Sequence, residues 1–171
     1  MKAADYLAVN PMGKVPALRH GAVVVTEAAA ICAYLADAFP QRGLLPQTAA
    51  ERGAYFRWLF FAAGPVEQAV VARALGWSVP EGRGAMVGFG SYADTLDALE
   101  SGLSEGPFVC GDRFTAADVY VGSSVAFGLQ FRTLETRPAF EAYAARLTAR
   151  PAYARSVRIN EAWLKTGGAA A

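Results

Sequence analysis

Strand-like patterns of apolar residues occur only in the first quarter of the chain. Residues 14–19 and 22–25 are rich in apolar side chains, and His20 and Gly21 lie between them. Glycine adopts the positive φ angle of a tight turn without strain, so two apolar runs joined in this way are typical of an antiparallel hairpin. The sequence therefore predicts a β-hairpin over residues 14–25.

A helical pattern follows the hairpin directly. Thr26 is of a type that often caps helices, and the pattern predicts a helix from Glu27 to about Phe39, which Pro40 ends. The larger apolar residues of this helix recur on one face, and they are Ile31, Tyr34, Leu35 and Ala38. A hairpin followed by one helix is the whole of the predicted α/β part.

From about Ala49 onward the spacing of apolar residues is helical. Two stripes recur at intervals of three and four residues, which predicts two long helices. The first stripe contains Tyr55, Phe56, Leu59, Phe60, Ala63, Val66, Val70 and Leu75, and the second contains Met86, Phe89, Tyr92 or Ala93, Leu96, Leu99 and Leu103. Because Gly64 and Pro65 interrupt the first stripe, we expect a kink there.

The sharpest local signal is the pair Thr115 and Asp118. At this spacing the Thr115 hydroxyl can accept from the Asp118 amide while the Asp118 carboxylate accepts from the Thr115 amide, which is a capping box. The pair predicts the start of a buried helix. Two more helices are expected, one around Tyr143 and a last one that Pro151 opens.

Composition and charge exclude several classes of function. The chain carries 16 Lys and Arg against 15 Asp and Glu, and a net charge of +1 provides no field that would attract a nucleic acid. The apolar stretch of residues 58–66, bracketed by Arg57 and Glu67, is far shorter than the roughly 20 residues of a membrane-spanning helix. The first residues do not have the pattern of a signal peptide. We therefore expect a cytoplasmic protein without a membrane segment, in which Cys32 and Cys110 stay reduced.

Residues for metal or triad chemistry are scarce. The single histidine, His20, lies in the predicted turn, so neither a histidine-based metal site nor a Ser-His-Asp or Cys-His set is expected. We predict no metal cofactor.

The segment around Val15 and Pro16 is the best candidate for a binding site. A residue before proline is held extended, so Val15 can present its backbone N–H and C=O to a ligand, and a cis bond to Pro16 would turn those groups outward. The helix start at Glu27 and Ala28 offers free amides to a carboxylate, while the Glu27 side chain can pair with an ammonium group. An amino-acid-like ligand fits this arrangement. The alternative is a plain turn, strand and capped helix with a solvated Glu27.

At these residues the sequence resembles the glutathione transferase family. The likeness covers nearly the whole chain and is carried by residues 10–18, 26–31, 34–37, 111–118 and 150–153. It implies an α+β, mostly α fold: the C-terminal half of a thioredoxin-like domain (a β-hairpin plus a helix) in residues 1–42, followed by an all-helical bundle domain in residues 49–171.

The resemblance also implies the binding residues. Val15 would bind the cysteinyl backbone of glutathione, Pro16 would be the family's cis-proline, and Glu27 with Ala28 would hold the γ-glutamyl end. Lys14 lies where the family often places a polar contact to the tripeptide. Position 28 is commonly Ser in the family, so Ala28 keeps the backbone amide and lacks the hydroxyl.

The family's domain begins with a strand, a helix and a second strand, and the thiol-activating Tyr, Ser or Cys lies near the end of that first strand. The sequence printed here corresponds to the part after them, so no catalytic residue is identifiable in it. We expect a fragment of a longer product; the alternatives are that the helical domain supports the remnant or that another polypeptide completes it. Without a partner, the hairpin edge and the helix face at Ile31 and Leu35 would stay partly uncovered.

The implied function is conjugation of the glutathione thiol, as co-substrate, to a hydrophobic electrophile. Phe60, Gly64 and Glu67 are candidates for the electrophile pocket, although an exposed Glu67 is the plainer interpretation. A homodimer is expected, with the apolar stripes between residues 50 and 103 as the contact. The rival hypotheses are a non-catalytic binding or scaffold protein with this fold, and a glutathione-dependent isomerase, dehalogenase or peroxidase.

Overall fold

The computed structural model describes residues 2–166 of the 171-residue chain. Its elements are α1 (Ala4–Val9), β1 (Ala17–His20), β2 (Val23–Thr26), α2 (Ala28–Ala38), α3 (Ala49–Phe61), α4 (Glu67–Ala74), α5 (Tyr92–Ser104), α6 (Ala116–Gln130), α7 (Pro138–Thr148) and α8 (Pro151–Lys165). The predicted α/β part followed by a helical part is therefore present. Helix α1 was not predicted.

The hairpin forms as expected, with a shifted turn. Strands β1 and β2 pair antiparallel, with Ala17 opposite Thr26 and His20 opposite Val23. Gly21, at a φ of 60°, and Ala22 form the turn, so His20 ends the first strand instead of lying in the turn. The first strand also starts later than predicted, after Pro16, which has no amide hydrogen to give to a ladder.

Helix α2 corrects the prediction of its cap. Thr26 does not cap it, because Thr26 is the last paired residue of β2 and Glu27 is the residue that precedes the helix. The face that packs inward is made of small residues: Ala36 is 1% exposed, whereas Leu35 is 36% exposed. Small side chains allow α2 to lie close against α6, the helix that it contacts most. Leu35, part of the predicted apolar face, therefore stays partly uncovered.

Leu35 and Phe39 instead line an apolar groove. Together with Val119 of α6 and neighbouring residues, they enclose a cavity of about 340 Å³. This agrees with the expectation that the Leu35 side of the helix stays partly uncovered.

The long helical stripe is interrupted where Gly64 and Pro65 predict it. Residues Ala62–Val66 form a π-helical turn between α3 and α4, with Pro65 inside it. A proline cannot donate the usual helical hydrogen bond, and a π turn accommodates the irregularity.

The second stripe starts later than predicted. Met86 is 75% exposed in a short 3₁₀ turn, and Gly90 has a φ of 63°. Helix α5 begins only at Tyr92, where the Ser91 hydroxyl accepts from the Asp94 amide at 3.0 Å.

Helix α6 runs through the centre of the core. The predicted capping box at Thr115 and Asp118 is present. Gly122 and Gly128 of this helix touch neighbouring leucines, and a Cβ on either would lie 2.4 Å or less from a leucine methyl group. The fully buried large side chains around α6 are Tyr55, Leu96, Leu99, Val121, Val125, Phe140 and Tyr143. Across residues 2–166, no helix is both long and apolar enough to span a bilayer.

Candidate functional site

The bond between Val15 and Pro16 is cis, which confirms the prediction for this bond. Val15 is 64% exposed, and neither its N–H nor its C=O has a hydrogen-bond partner in residues 2–166. An extended residue with both backbone groups free can pair with the backbone of a peptide ligand as a strand would.

The hairpin register brings Val15 close to the start of α2. Because Ala17 pairs with Thr26, Pro16 and Glu27 leave the hairpin side by side at its open end. We call this group of residues, Val15, Pro16, Glu27 and Ala28, the cradle.

The loop before the cradle is fixed by two residues that the sequence analysis missed. The Lys14 carbonyl accepts from the Tyr6 hydroxyl at 2.5 Å and from the Asn10 side-chain amide at 2.8 Å. The Asn10 side chain is buried at 4% exposure, and its oxygen accepts from the Met12 amide at 3.1 Å. Asn before Pro is a turn signal, and it is the one sign in the sequence that pointed to this role.

Glu27 has an unusual backbone conformation. Its φ is 67° and its ψ is 119°, a combination that costs energy for a residue with a Cβ and that is enriched at functional sites. Its carbonyl accepts from the Ile31 amide at 2.9 Å, which closes the first turn of α2. The amide of Ala28 belongs to the first turn of the helix, where amides have no intrahelical partner.

Both charged side chains of this region are available to a ligand. The side chains of Lys14 and Glu27 are exposed, and neither forms an ion pair with any residue in the described range. The region therefore offers one cation, one anion and free backbone groups, a set that complements a zwitterionic peptide.

A cleft of about 390 Å³ opens between α4 and the C-terminal half of α6. Its lining is largely apolar and contains Ala62, Val66, Glu67, Val70, Tyr120, Ser124, Phe127, Gly128, Phe131 and Thr133. Of the three predicted pocket residues, Glu67 lies in this lining, whereas Phe60 and Gly64 lie outside it. Phe60 is 72% exposed on α3, and the Cα of Gly64 faces open space.

Tyr120 of the cleft lining keeps its proton. Burial raises the pKa of the Tyr120 hydroxyl, and the carboxylates of Glu67 and Glu27 raise it further. Tyr120 therefore stays protonated at neutral pH.

Neither cysteine is set up as a nucleophile. Burial raises the pKa of Cys32 and, with a smaller opposing effect of the Thr115 hydroxyl, that of Cys110. The thiolate is the reactive form, so both thiols are poorly reactive. Among residues 2–166, no three His, Cys, Asp or Glu side chains come together as a metal site.

Family models for both parts of one protein family match the chain. "Glutathione S-transferase, N-terminal domain" matches residues 1–38, and "Glutathione S-transferase, C-terminal domain" matches residues 47–149. The Glutathione S-transferase A of Pleuronectes platessa is 30% identical over 159 residues, which is 88% of this chain and 71% of the relative. The Glutathione S-transferase GstA of Escherichia coli O157:H7 is 31% identical over 150 residues, or 86% of this chain and 74% of the relative.

Solved structures of the same family superpose on the fold. A glutathione transferase from Methylococcus capsulatus is 32% identical and has a TM-score of 0.72. The superposition covers 91% of this chain and 78% of the other chain. A sphingomonad glutathione S-transferase complexed with glutathione, 29% identical, has a TM-score of 0.70 with the same coverage. The hairpin and α2 correspond to part of a thioredoxin-like domain, and the later helices to the helical domain. By family models, relatives and fold alike, this chain belongs to the glutathione S-transferase family.

Proposed function

We propose that the cradle binds glutathione and that the protein conjugates the glutathione thiol to a hydrophobic electrophile. The observation that carries this proposal is the cis Val15–Pro16 bond, beside which both backbone groups of Val15 have no hydrogen-bond partner in residues 2–166. Residues 1–42 would supply the peptide-binding part of the site, and residues 49–171 would supply the cleft.

Each part of the tripeptide has a complementary group. The Val15 N–H and C=O pair with the backbone of the cysteinyl residue. Glu27 accepts from the ammonium group of the γ-glutamyl end, and the Ala28 amide donates to its carboxylate. Lys14 offers its ammonium group to a further carboxylate of the tripeptide.

The apolar cleft beside Tyr120 would hold the electrophile. In the reaction a bond forms between the glutathione sulfur and an electrophilic carbon, the leaving group departs with its electron pair, and the thiol proton passes to solvent. Binding both reactants side by side removes most of the entropic cost of their encounter. We assign stabilisation of the thiolate to no residue of this chain.

We further propose a cytoplasmic homodimer. Phe56 and Phe60 of α3 are 48% and 72% exposed, and uncovered aromatic side chains on one helix favour contact with a second copy. Sedimentation analysis of the protein and of Phe60→Glu tests this, since the charged variant should sediment as a monomer. A protein that is monomeric at micromolar concentration contradicts it.

Calorimetric titration with γ-Glu-Cys-Gly, and with its α-linked isomer as control, tests the binding step. The γ-linked peptide should bind and the isomer should bind much more weakly, because only the γ linkage leaves an ammonium group and a carboxylate on the same carbon, side by side for Glu27 and Ala28. Glu27→Gln should weaken binding, whereas Glu105→Gln, which removes an exposed carboxylate at the end of α5, should not. Absence of binding at millimolar peptide overturns the proposal.

The alternative of a binding protein without chemistry is favoured by one observation, the missing hydroxyl at Ala28. This alternative differs from the main proposal because the protein would bind glutathione without catalysing a reaction. The test is to measure binding of γ-Glu-Cys-Gly and then its conjugation to 1-chloro-2,4-dinitrobenzene, together with isomerase, dehalogenase and peroxidase reactions of the thiol. Binding without acceleration of any of these reactions would identify a binding protein.

A further inference from the structure

The cleft between α4 and α6 has an apolar floor and an aromatic rim. Ala62 and Val66 are buried at its base, while Phe127 and Phe131 are 59% and 66% exposed at its edge. The two phenyl rings lie 6.1 Å apart between centroids. Exposed aromatic rings beside a concave apolar surface bind flat aromatic groups well, because a ring buries a large area at a small cost in entropy.

Glu67 is the one charged residue of this lining. Its carboxylate has no cationic partner within residues 2–166. Arg73, which also belongs to α4, is occupied elsewhere, since its guanidinium lies 4.2 Å from the centre of the Tyr92 ring. The charge of Glu67 is therefore not neutralised.

The other polar groups of the cleft add no positive charge. The Ser124 hydroxyl donates to the Tyr120 carbonyl at 3.2 Å, which leaves its oxygen lone pairs for the cleft. Tyr120 stays protonated, as its raised pKa requires. An anion in the cleft would meet the Glu67 carboxylate, and a cation would be attracted to it.

We infer that the cleft selects aromatic ligands that carry a positively charged group, with the ring against Phe127 and Phe131 and the charge beside Glu67. This inference rests on the proposed function in one respect, that the ligand of the cleft is the electrophile. An electrophile with an ammonium group on its ring system would then be preferred over a neutral analogue, and one with a carboxylate would be disfavoured.

Three naphthalene ligands test the inference by direct binding, without glutathione. They are 1-naphthylmethylamine, 1-naphthylmethanol and 1-naphthoate, which keep the ring constant and change the charge. In ligand-observed NMR titrations of the full chain, the amine should bind roughly two- to fivefold more tightly than the alcohol, the range for an exposed ion pair, and the acid should bind most weakly. The preference should shrink in 1 M salt, where charges are screened over about 3 Å.

Variants assign the preference to Glu67. Glu67→Gln should bring the amine and the alcohol to equal affinity, whereas Glu105→Gln should leave the preference unchanged. Ser124→Phe, which fills the cleft, should weaken binding of all three ligands. Equal affinity of the three ligands for the natural sequence, a preference that survives in Glu67→Gln, or no binding of any ligand overturns the inference. Glutathione is absent from these titrations, so a failure of this inference does not affect the proposed function. Glutathione binding at the cradle is tested separately by calorimetry.

Discussion

The Tyr143 hydroxyl donates a hydrogen bond of 2.9 Å to the carboxylate of Asp118, and both residues are fully buried. The same carboxylate accepts from the Val109 amide at 2.9 Å and from the Thr115 amide at 2.8 Å. Burial and the charge of Asp118 raise the pKa of Tyr143, so its hydroxyl remains a donor. One carboxylate thus joins the start of α6, the loop before it and α7.

Asp118→Asn should strongly destabilise the protein. The amide side chain keeps the size of the carboxylate, but it has one accepting oxygen where two are in use, and its NH₂ group would face other donors. The variant loses hydrogen bonds to a charged acceptor and leaves buried donors without a partner. We expect this to lower the free energy of unfolding by about 3 kcal/mol. Urea unfolding measures this, with Asp112→Asn at an exposed loop position as the control. A variant as stable as the control contradicts the role of Asp118.

Two buried tyrosines should respond in opposite ways to loss of the hydroxyl. The Tyr55 hydroxyl is buried without a partner in the described residues, and burial together with nearby acidic groups raises its pKa to about 12. Tyr55→Phe removes an unsatisfied polar group and should stabilise the protein by about 1 kcal/mol. Tyr143→Phe removes a bond to a charged acceptor and should destabilise it by about 2 kcal/mol. The two melting temperatures should lie on either side of the natural one; a shift in the same direction would show that Tyr55 has a partner.

Glycines in two neighbouring helices should also differ. A Cβ at Gly102 of α5 would lie 1.9 Å from the ring of Trp58, which is itself 3% exposed and cannot move aside. Gly102→Ala should therefore cost about 3 kcal/mol, as overpacking of a core does. At Gly53 of α3 nothing lies within 4 Å, so Gly53→Ala should stabilise the helix by about 0.5–1 kcal/mol. Denaturant unfolding of both variants checks the packing of α3 against α5.

The parts of the fold that the sequence predicted are those with a local physical signal. The capping box at Thr115 and Asp118, the interruption at Pro65 and the hairpin each depend on residues within a few positions of one another. The bonds from Val109 and Tyr143 to Asp118 join distant segments, and no local pattern reports them.

Tertiary contacts decided the features that local patterns did not predict. In α2, close approach to α6 buries the small Ala36, while Leu35 stays partly uncovered. Thr26 is a good cap by type, yet its pairing with Ala17 keeps it in the strand. Within the candidate site, Val15 and Glu27 are predicted from local chemistry, whereas Tyr6 and Asn10 bind the Lys14 carbonyl through the folded loop, which no local pattern reports.

The ion pair between Glu51 and Arg113 should make stability depend on pH. The Glu51 carboxylate accepts from the Arg113 guanidinium at 3.2 Å and from the Gln47 amide at 2.6 Å, and these bonds hold its pKa below the ordinary value of 4.5. A carboxyl whose pKa is lowered by folding stabilises the protein above its unfolded pKa, and that contribution is lost as the pH falls through the folded pKa. The stability of the natural protein should therefore fall more steeply below pH 4.5 than that of Glu51→Gln.

Equilibrium unfolding at a series of acidic pH values measures the difference. Glu105→Gln, which removes a carboxylate without an ion pair in residues 2–166, is the control for the loss of one charge. Parallel curves for the natural protein and Glu51→Gln would contradict a stabilising contact with Arg113.

Ala28→Ser should strengthen binding of glutathione if the cradle holds the γ-glutamyl end. The first residue of α2 lies beside the free amides, so a hydroxyl there adds one hydrogen bond to the same carboxylate at little cost to the helix. One neutral hydrogen bond contributes about 0.5–1.5 kcal/mol, which corresponds to roughly two- to tenfold in affinity. Ala30→Ser is the matched control, because Ala30 is exposed in the same helix and points away from position 28. Calorimetry with γ-Glu-Cys-Gly should show tighter binding for the first variant alone; equal affinity of both variants and the natural protein would mean that the γ-glutamyl carboxylate lies elsewhere.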